Sequence, residues 1–291
     1  MEAKVAVVVV NFNAGSALAG CVRSLYAQGE AVVLTLVDNA STDGSADEVE
    51  GLFSARPDFQ LLRNRDNRGF AAAVNQGVAA TGAGAPYLLI LNPDCTLQPG
   101  ALRLMREALA GDARSGLAGP LVLGSDQRPA RATLRRFPDP WRSLLTFSGL
   151  WRLGRHAAVF EGVEAAGELP GETCTAEAVS GACMLLKRSV FEALGGLDEG
   201  YGLHCEDLDL MYRLREGGWH ALFVPSATVI HRQGVSSRSR PLWVHRQKHL
   251  GMQRFFLKFQ AERYSPLLRW LVVAGIWLRY AATLPFAMVR R

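Results

Sequence analysis

Residues 88–95 read LLILNPDC, an apolar run that leads directly into Asn92, Pro93 and Asp94. A short apolar run bounded by turn-forming residues is typical of a strand buried on both faces. Ligands of open α/β sheets bind at the carboxyl ends of the strands, so Asp94 is expected at a binding edge. Asn-Pro-Asp is also ordinary turn chemistry, which is the alternative reading of the triplet.

Similar apolar runs alternate with helical patterns through the first 125 residues. Strands are predicted at VAVVVV (5–10), VVLTLV (32–37), FQLLR (59–63), YLLIL (87–91) and LAGPLVL (117–123), with helices near 15–28, 43–55, 69–80 and 99–110. This alternation predicts an α/β fold, Rossmann-like, with a mostly parallel central sheet and helices on both faces. Weak periodicity and several prolines between 126 and 178 predict loops and short helices over the site.

Charge is divided unevenly along the chain. The formal net charge is +5 over 291 residues, yet residues 232–291 hold twelve Lys or Arg and one acid, Glu262. That segment carries +11 and leaves −6 on residues 1–231, which predicts an anionic partner for the tail, either a lipid surface or a nucleic acid. Five scattered cysteines without a C-x-x-C spacing predict a reduced, cytoplasmic compartment.

Polar residues follow each of the first four predicted strands. They are Asn11 and Asn13, Asp38 and Asn39, the run 64–67, and Asn92 with Asp94. Because parallel strands share one carboxyl edge, these side chains are expected to lie together. A hard divalent cation that bridges a diphosphate needs an oxygen ligand at such an edge, which Asp94 can supply.

Asp38 raises the possibility of a dinucleotide oxidoreductase, because a Rossmann fold uses an acid after its second strand to hold a ribose hydroxyl. The first loop, NFNAGSALAG, lacks the G-x-G-x-x-G fingerprint and argues against that class. Further along, NRDNRGF places Arg65, Arg68 and Gly69 before a helix, which suggests an anion or base site or, equally, a capped surface loop.

Three acids, Glu206, Asp207 and Asp209, fall within four residues at the predicted start of a helix. Acids in a first helical turn are stabilised by the helix dipole, but three exceed what capping needs. Mutual repulsion can raise one carboxyl pKa toward neutrality, so one of them is a candidate general base. His231 follows another strand-like segment and is either an ordinary strand-end residue or a ligand.

Together and in order, these segments resemble the inverting glycosyltransferases of family two, which have the GT-A fold, and especially their bacterial rhamnosyltransferase-like branch. The resemblance covers roughly residues 4–250. The motifs that carry it are VVVVNFN, VDNASTDGS, NRGFAAAVNQG, LNPD, VSGACMLL, GGLDEGYGLHCEDLDLMYRLREGGW and the later His231. The segment RRFP at 135–138 resembles one found in the same branch.

The resemblance implies a nucleotide-sugar site with Asp207 as catalytic base, Glu206 and Asp209 as its supports, and Mg²⁺ or Mn²⁺ as cofactor. Asp94 matches the last acid of the family's D-x-D metal motif, His231 can complete the metal site, and Asn92 replaces the motif's first Asp. The implied nucleotide-sugar residues are Asn11, Asn13, Asp38, Asn39, Asn67, Arg68, Gly69, Asn75, Asn92 and Asp94. The loop 233–240 is a hypothetical lid over the donor.

The segment 267–291 is apolar over about the 20 residues that span a bilayer, but Arg279 and Pro285 interrupt it. An interfacial helix is therefore expected rather than a span, with a helix packed on the body or on a second subunit as the alternative. Two units are predicted, a GT-A domain at 1–240 and a basic, amphipathic helical region at 241–291.

The predicted activity is transfer of a sugar, with rhamnose from dTDP-rhamnose as the first candidate, to a saccharide or lipid-diphosphate-linked acceptor in cell-surface polysaccharide assembly. Galactofuranose, glucose and N-acetylglucosamine donors compete, as does a non-catalytic nucleotide-sugar-binding protein. The expected location is cytoplasmic, peripheral on the inner face of the membrane at an anionic lipid surface, with no nucleic-acid partner.

Overall fold

The computed structural model describes residues 4–150, 162–163, 169–232 and 240–289. The strands are β1 (Val5–Asn11), β2 (Val32–Asp38), β3 (Phe59–Arg63), β4 (Tyr87–Leu91), β5 (Cys95–Leu97), β6 (Ser115–Leu123), β7 (Leu134–Arg135), β8 (Cys174–Ala176), β9 (Ala178–Val179), β10 (Cys183–Lys187) and β11 (His220–His231). The helices are α1 (Ala17–Tyr26), α2 (Ser45–Phe53), α3 (Phe70–Ala80), α4 (Ala101–Gly111), α5 (Pro140–Ser148), α6 (Arg188–Ala193), α7 (Glu206–Glu216), α8 (Pro241–Phe259) and α9 (Pro266–Val289). All five predicted strands and all four predicted helices of the first 125 residues are confirmed.

One large sheet organises the described residues, with the strand order β3-β2-β1-β4-β10-β6-β11-β5 and with β8 added beside β11. The run β3-β2-β1-β4 is parallel, as expected. Strand β10 then enters antiparallel between β4 and β6, so the whole sheet is mixed. Within 126–178 the structure adds α5, as expected, and also a small ladder of β7 on β9 that the sequence pattern did not show.

Strand β1 separates two hydrophobic cores. Val5, Val7 and Val9 face one core, beside α1 and α4, whereas Ala6, Val8 and Val10 face the other, beside α3 and α7. Because every second side chain points to the opposite face, a strand with helices on both sides must be apolar at every position. The continuous apolar runs of the sequence have this cause.

Helix α3 approaches the sheet closely through small residues. A Cβ added to Gly77 would lie 2.6 Å from Val8 Cγ1 and 3.0 Å from Val37 Cγ2. Both valines are fully buried and therefore have little room to move. The run of alanines at 71–73 and this glycine together set the distance between α3 and the sheet, and hence the position of the loop that precedes α3.

The last two helices pack against each other and against the rest of the structure. Phe255 and Phe256 of α8 are buried, and the backbone of Gly251 lies against Cys205, just before α7. Among the described residues, one helix, α9, is long and apolar enough to cross a membrane. The segment Pro266–Met288 has a mean hydropathy of 1.5, and only 6% of it is buried. The division of the chain at residue 240 stays a prediction.

Substituting Gly77→Ala should lower the free energy of unfolding by about 1 to 3 kcal/mol, because the added methyl group overpacks the interface of α3 with β1 and β2. Urea denaturation measures this change. Gly20→Ala in α1 is the matched control, since nothing lies within 4 Å of a Cβ built there, and the better helix propensity of alanine should make it neutral or stabilising by up to about 1 kcal/mol. Equal effects of the two substitutions would contradict the packing argument.

Candidate active site

The carboxyl edge of β1 and β2 is built around Asn11 and Asp38, which lie opposite each other in the sheet. The Asn11 Nδ2 amide is 2.9 Å from Asp38 Oδ1 and within hydrogen-bond distance of the hydroxyls of Ser41 and Ser45. Asp38 Oδ2 accepts the backbone N–H of Ser41 at 3.3 Å. Both Asn11 and Asp38 are buried, so these bonds fix the orientation of the carboxylate at the carboxyl edge of the sheet.

Asn13 fixes the loop that follows β2. Its Oδ1 accepts the backbone N–H of Thr42 at 2.8 Å, and its own N–H donates to Ser41 Oγ at 3.0 Å. The residue has a left-handed backbone, with φ of 53°, a conformation that asparagine tolerates better than most residues. Asn13 therefore holds the loop after β2 against the loop after β1.

Asn39 joins the end of β2 to the loop before α3. Its Nδ2 donates to Asn67 Oδ1 at 2.9 Å, and its Oδ1 accepts the backbone N–H of Arg68 at 3.0 Å and an N–H of Asn64 at 3.1 Å. Gly69 has φ of +84°, in the left-handed region that favours glycine. The structure thus brings Asn67, Arg68 and Gly69 to the same edge as Asp38.

Asn75 is placed differently from the other predicted nucleotide-site residues. Its amide donates to the carbonyl of Leu197 and to Glu199 Oε1, both at 2.9 Å, and its Oδ1 accepts the Leu197 N–H at 3.0 Å. A Cβ on Gly196 would lie 2.7 Å from that oxygen. Asn75 therefore anchors the loop that leads to α7, and its part in nucleotide binding stays a prediction.

Asp94 and His231 meet where β5 pairs with the end of β11. The distance from His231 Nε2 to Asp94 Oδ1 is 3.0 Å, and both side chains are largely buried. The backbone of Asn92 is tied down beside them, with its N–H donating to the carbonyl of Ala182 at 2.8 Å. The sequence prediction that these residues share one edge of the sheet agrees with this geometry.

The donor set at this point suits a divalent cation. Ligand atoms of Asp94, Cys95 and His231 lie within 4.8 Å of one another. Burial raises the pKa of the Cys95 thiol well above its ordinary value, so this group stays protonated and leaves one carboxylate oxygen and one imidazole nitrogen as the ligands. Among the described residues, His231 Nδ1 is a buried atom without a hydrogen-bond partner. Oxygen and imidazole ligands fit Mg²⁺ or Mn²⁺.

The acidic helix α7 begins from a strained turn. His204 and Cys205 have φ of 69° and 72°, two successive left-handed residues that are not glycine. Such conformations cost on the order of 1 to 3 kcal/mol each and persist where surrounding structure enforces them. Here Cys205 is buried against Gly251 of α8, and the turn points the first residues of α7 at the sheet edge.

The three acids of α7 have different partners. Asp209 is fully buried and is saturated by Tyr201 Oη at 3.1 Å, Arg213 Nε at 2.5 Å and Lys258 Nζ at 2.7 Å, so it ties α7 to α8. Glu206 is buried, and its Oε2 has no hydrogen-bond partner among the described residues. Burial, followed by the charge of Asp207, raises the pKa of Glu206 to about 8.

Asp207 is paired with Arg135 of β7. Burial acts to raise the pKa of Asp207, but the charge and the hydrogen bond of the Arg135 guanidinium outweigh it and hold the pKa below its ordinary value. Of the two neighbouring acids, Asp207 is therefore ionised and Glu206 is protonated at neutral pH. Sequence reasoning missed Arg135 as a site residue, and the only signal for it was its place in the RRFP segment.

One short loop connects the base candidate to the cation candidate. A Cβ on Gly181 would lie 2.6 Å from Asp207 Oδ2, so the carboxylate rests directly on this glycine. The next residue, Ala182, accepts the Asn92 N–H and the Cys95 thiol through its carbonyl. Asp207 of α7 thus contacts Gly181, and the segment that carries Asp94 is held by the next residue, Ala182. The predicted lid at 233–240 lies outside the described residues except for Arg240.

The mixed sheet and the polar residues gathered at its carboxyl edge are those of a GT-A glycosyltransferase. The model of glycosyl transferase family 2 matches residues 6–195, and the chain belongs to that family. The N-acetylglucosaminyl-diphospho-decaprenol L-rhamnosyltransferase of Mycobacterium tuberculosis is 31% identical and is aligned over 94% of this chain and 90% of that protein.

A second relative is the succinoglycan biosynthesis protein ExoA of Rhizobium meliloti, 26% identical over 78% of this chain and 62% of that protein. Among solved structures, the mannosyltransferase PcManGT of Pyrobaculum calidifontis, in complex with GDP-Man and Mn²⁺, has a TM-score of 0.61 at 20% identity and covers all of this chain and 74% of that one. GalNAc-T7 with UDP, GalNAc and Mn²⁺ has a TM-score of 0.62 at 17% identity over 88% and 48%. These likenesses confirm the GT-A fold.

Glu206→Gln should flatten the dependence of stability on pH. A carboxyl whose pKa is raised from 4.5 to about 8 on folding stabilises the folded protein fully below pH 4.5, and this stabilisation is lost as pH rises to about 8. The neutral amide does not titrate, so the melting temperature of the variant relative to the unmodified protein should increase from pH 5 to pH 9.

The control for this measurement is Glu216→Gln, which changes an exposed glutamate at the other end of α7. Its melting temperature should follow that of the unmodified protein at every pH. A Glu206→Gln curve that also runs parallel to the unmodified protein would show that Glu206 is ionised in the folded state.

Proposed function

We propose that this glycosyltransferase is an inverting, metal-dependent enzyme that moves a sugar from a nucleotide sugar to a saccharide or to a saccharide on a lipid diphosphate. The observation that carries the proposal is the ionised Asp207 carboxylate held on Gly181, one residue from the carbonyl that fixes the Asp94 segment. A base and a cation site so placed can act on the attacking hydroxyl and on the departing diphosphate of the same displacement.

Asp38, oriented by Asn11, would take the ribose or base of the nucleotide. The loop held by Asn39 would present Arg68 and the amides near Gly69 to the rest of the donor. Asp94 and His231 would hold a divalent cation, Mg²⁺ or Mn²⁺, which when bound neutralises the charge of the departing diphosphate. With Asn92 in place of the motif's first acid, Asp94 and His231 would be the two protein ligands of this cation.

Asp207 would accept the proton of the acceptor hydroxyl as that oxygen bonds to the anomeric carbon. The bond from this carbon to the diphosphate oxygen breaks with its electron pair leaving on the nucleoside diphosphate. A single displacement of this kind inverts the anomeric configuration. Glu206 is protonated at neutral pH, so it would not compete for the proton and would not repel the Asp207 carboxylate.

Rhamnose from dTDP-rhamnose is the proposed donor, because the relative aligned over nearly the whole chain is named a rhamnosyltransferase for an N-acetylglucosaminyl-diphospho-lipid. A polyprenyl-diphosphate-linked N-acetylglucosamine is accordingly the first acceptor to try. UDP-galactofuranose, UDP-glucose and UDP-N-acetylglucosamine are the competing donors, and the same site residues would serve each of them.

A lipid-linked acceptor would be reached from a membrane surface, and α9 supports that placement. Arg279, the charge that interrupts its apolar sequence, is turned inward, with its guanidinium 3.0 Å from His249 Nε2 and stacked 3.9 Å over the ring of Phe147. The outer side keeps large exposed apolar side chains, namely Leu267, Trp270, Leu271, Leu278 and Phe286. We propose that α9 lies on an anionic inner leaflet at the cytoplasmic face, with the basic residues of 232–291 beside it.

Donor use is tested with purified protein, Mg²⁺ or Mn²⁺, the lipid-linked acceptor and a panel of dTDP-rhamnose and UDP-sugars, by measuring nucleoside diphosphate release. Release from dTDP-rhamnose should require the cation and should fall about 100-fold or more in Asp207→Asn, the usual contribution of a general base. Asp126→Asn, in a surface loop, is the matched control and should leave the rate unchanged. Full activity of Asp207→Asn would refute the assigned base.

Membrane binding is tested by cosedimentation with vesicles of phosphatidylglycerol or of phosphatidylcholine alone. Trp270→Asp with Leu278→Asp should abolish binding to the anionic vesicles, because two charges then lie on the outer face of α9. Leu52→Asp, at an exposed leucine on α2, should bind like the unmodified protein. Binding that survives the α9 substitutions would place the lipid contact elsewhere.

A further inference from the structure

Arg135 reaches Asp207 from a separate two-stranded ladder. Its backbone belongs to β7, where Arg135 is the register partner of Ala178 in β9. The guanidinium then extends past that strand, and the same Nη2 donates to the carbonyl of Val179 at 2.7 Å and contacts Asp207 Oδ2. Both ends of the pair are only 15% exposed, so the contact is shielded from water.

The Asp207 carboxylate is held on its remaining sides as well. Oδ1 accepts the backbone N–H of Leu208 at 2.8 Å, and Oδ2 lies against the position where a Cβ of Gly181 would be. One rotamer is thereby selected from those open to an aspartate at a helix start. Of these contacts, Arg135 supplies the only charged side chain within hydrogen-bond distance that the described residues show.

We propose that Arg135 is a positioning residue, which keeps the Asp207 carboxylate ionised and aimed at the acceptor hydroxyl. The inference rests on the proposed role of Asp207 as the base. The β7–β9 ladder is the element that delivers this guanidinium, which gives the segment between β6 and β8 a part in the reaction.

The groups around Asp207 leave this task to Arg135. Glu206 on the same helix is neutral at pH 7, and His204 in the preceding turn faces both Asp207 and Lys248 of α8. Burial of Asp207 favours its protonated form, and Arg135 is the largest effect that opposes burial. Without the guanidinium, a greater fraction of the carboxyl would carry a proton and could not accept one from the hydroxyl.

The ion pair also accounts for release of the proton after transfer. A protonated Asp207 loses its attraction to Arg135, so the charged pair re-forms when the proton passes to solvent. The arrangement costs some base strength, because a carboxylate with a lowered pKa binds the hydroxyl proton less tightly. In exchange, the base is ionised over a wider range of pH.

The test is the pH profile of kcat from about pH 3 to pH 9, with whichever donor of the panel supports release, because the lowered pKa of Asp207 places the acid limb of the unmodified enzyme at low pH. In Arg135→Gln the acid limb should move up by about one pH unit or more, the low end of the effect of an arginine on a neighbouring aspartate. At pH values below the limb, a shift of one unit lowers kcat about tenfold, while KM for the donor should change less than about twofold. Arg135→Lys keeps a charge and should lie between the two profiles.

Arg142→Gln is the matched control. Arg142 pairs with Glu177 at 2.8 Å and braces the same segment without contacting Asp207, so its loss loosens the segment and should leave the acid limb in place. An unmoved limb in Arg135→Gln, or an equal shift in Arg142→Gln, would overturn the inference. If Arg135→Gln does not fold, Arg135→Lys decides, and a kcat and limb identical to the unmodified enzyme would overturn it.

The proposed function fails in a different way. It fails when Asp207→Asn retains its rate or when no donor is turned over, whatever Arg135 does. An inactive Asp207→Asn together with an unmoved limb in Arg135→Gln would keep the base and reject only its positioning by Arg135.

Discussion

Pairing of desolvated polar groups at the carboxyl edge of the sheet is the constraint on which the site depends. The strands that end there are apolar on both faces, so the side chains that follow them are largely removed from water. A buried carboxylate or amide is costly unless it is hydrogen-bonded. Asn11 therefore holds Asp38, and Asn39 holds the loop at 64–69. The same bonds that stabilise the edge also give it one shape.

The three carboxyl groups at the start of α7 differ in charge and in role because they have different partners. Asp209 meets three donors and becomes a fastening between α7 and α8. Asp207 meets one guanidinium and stays ionised, while Glu206 meets none and keeps its proton at neutral pH. Repulsion between neighbouring carboxylates is avoided by this division of charge, and Asp207 is left as the ionised acid of the two. The strained turn at His204 and Cys205 is the backbone cost of that placement.

The C-terminal helices follow a related logic. An arginine in the middle of an apolar helix would oppose contact with lipid if it faced outward. In the structure it turns toward α8, where the neutral His249 accepts its N–H and the ring of Phe147 covers its face. The outward side of α9 is thereby left without this charge. The helix proposed to meet lipid packs on α8 through Arg279 and His249, and Lys258 of α8 in turn binds Asp209 of α7.

The sequence by itself determined the βαβ framework, because strands buried on both faces must be apolar at every position and such runs are legible without coordinates. It also located the carboxyl edge, since turn-forming polar residues such as Asn92 and Asp94 must follow those runs. The tertiary structure alone decided which side chains became partners. The antiparallel insertion of β10, the loop use of Asn75 and the contact of Arg135 with Asp207 each join residues far apart in the chain. Periodicity and spacing report only on neighbours along the chain, so pairings made by folding leave no mark in them.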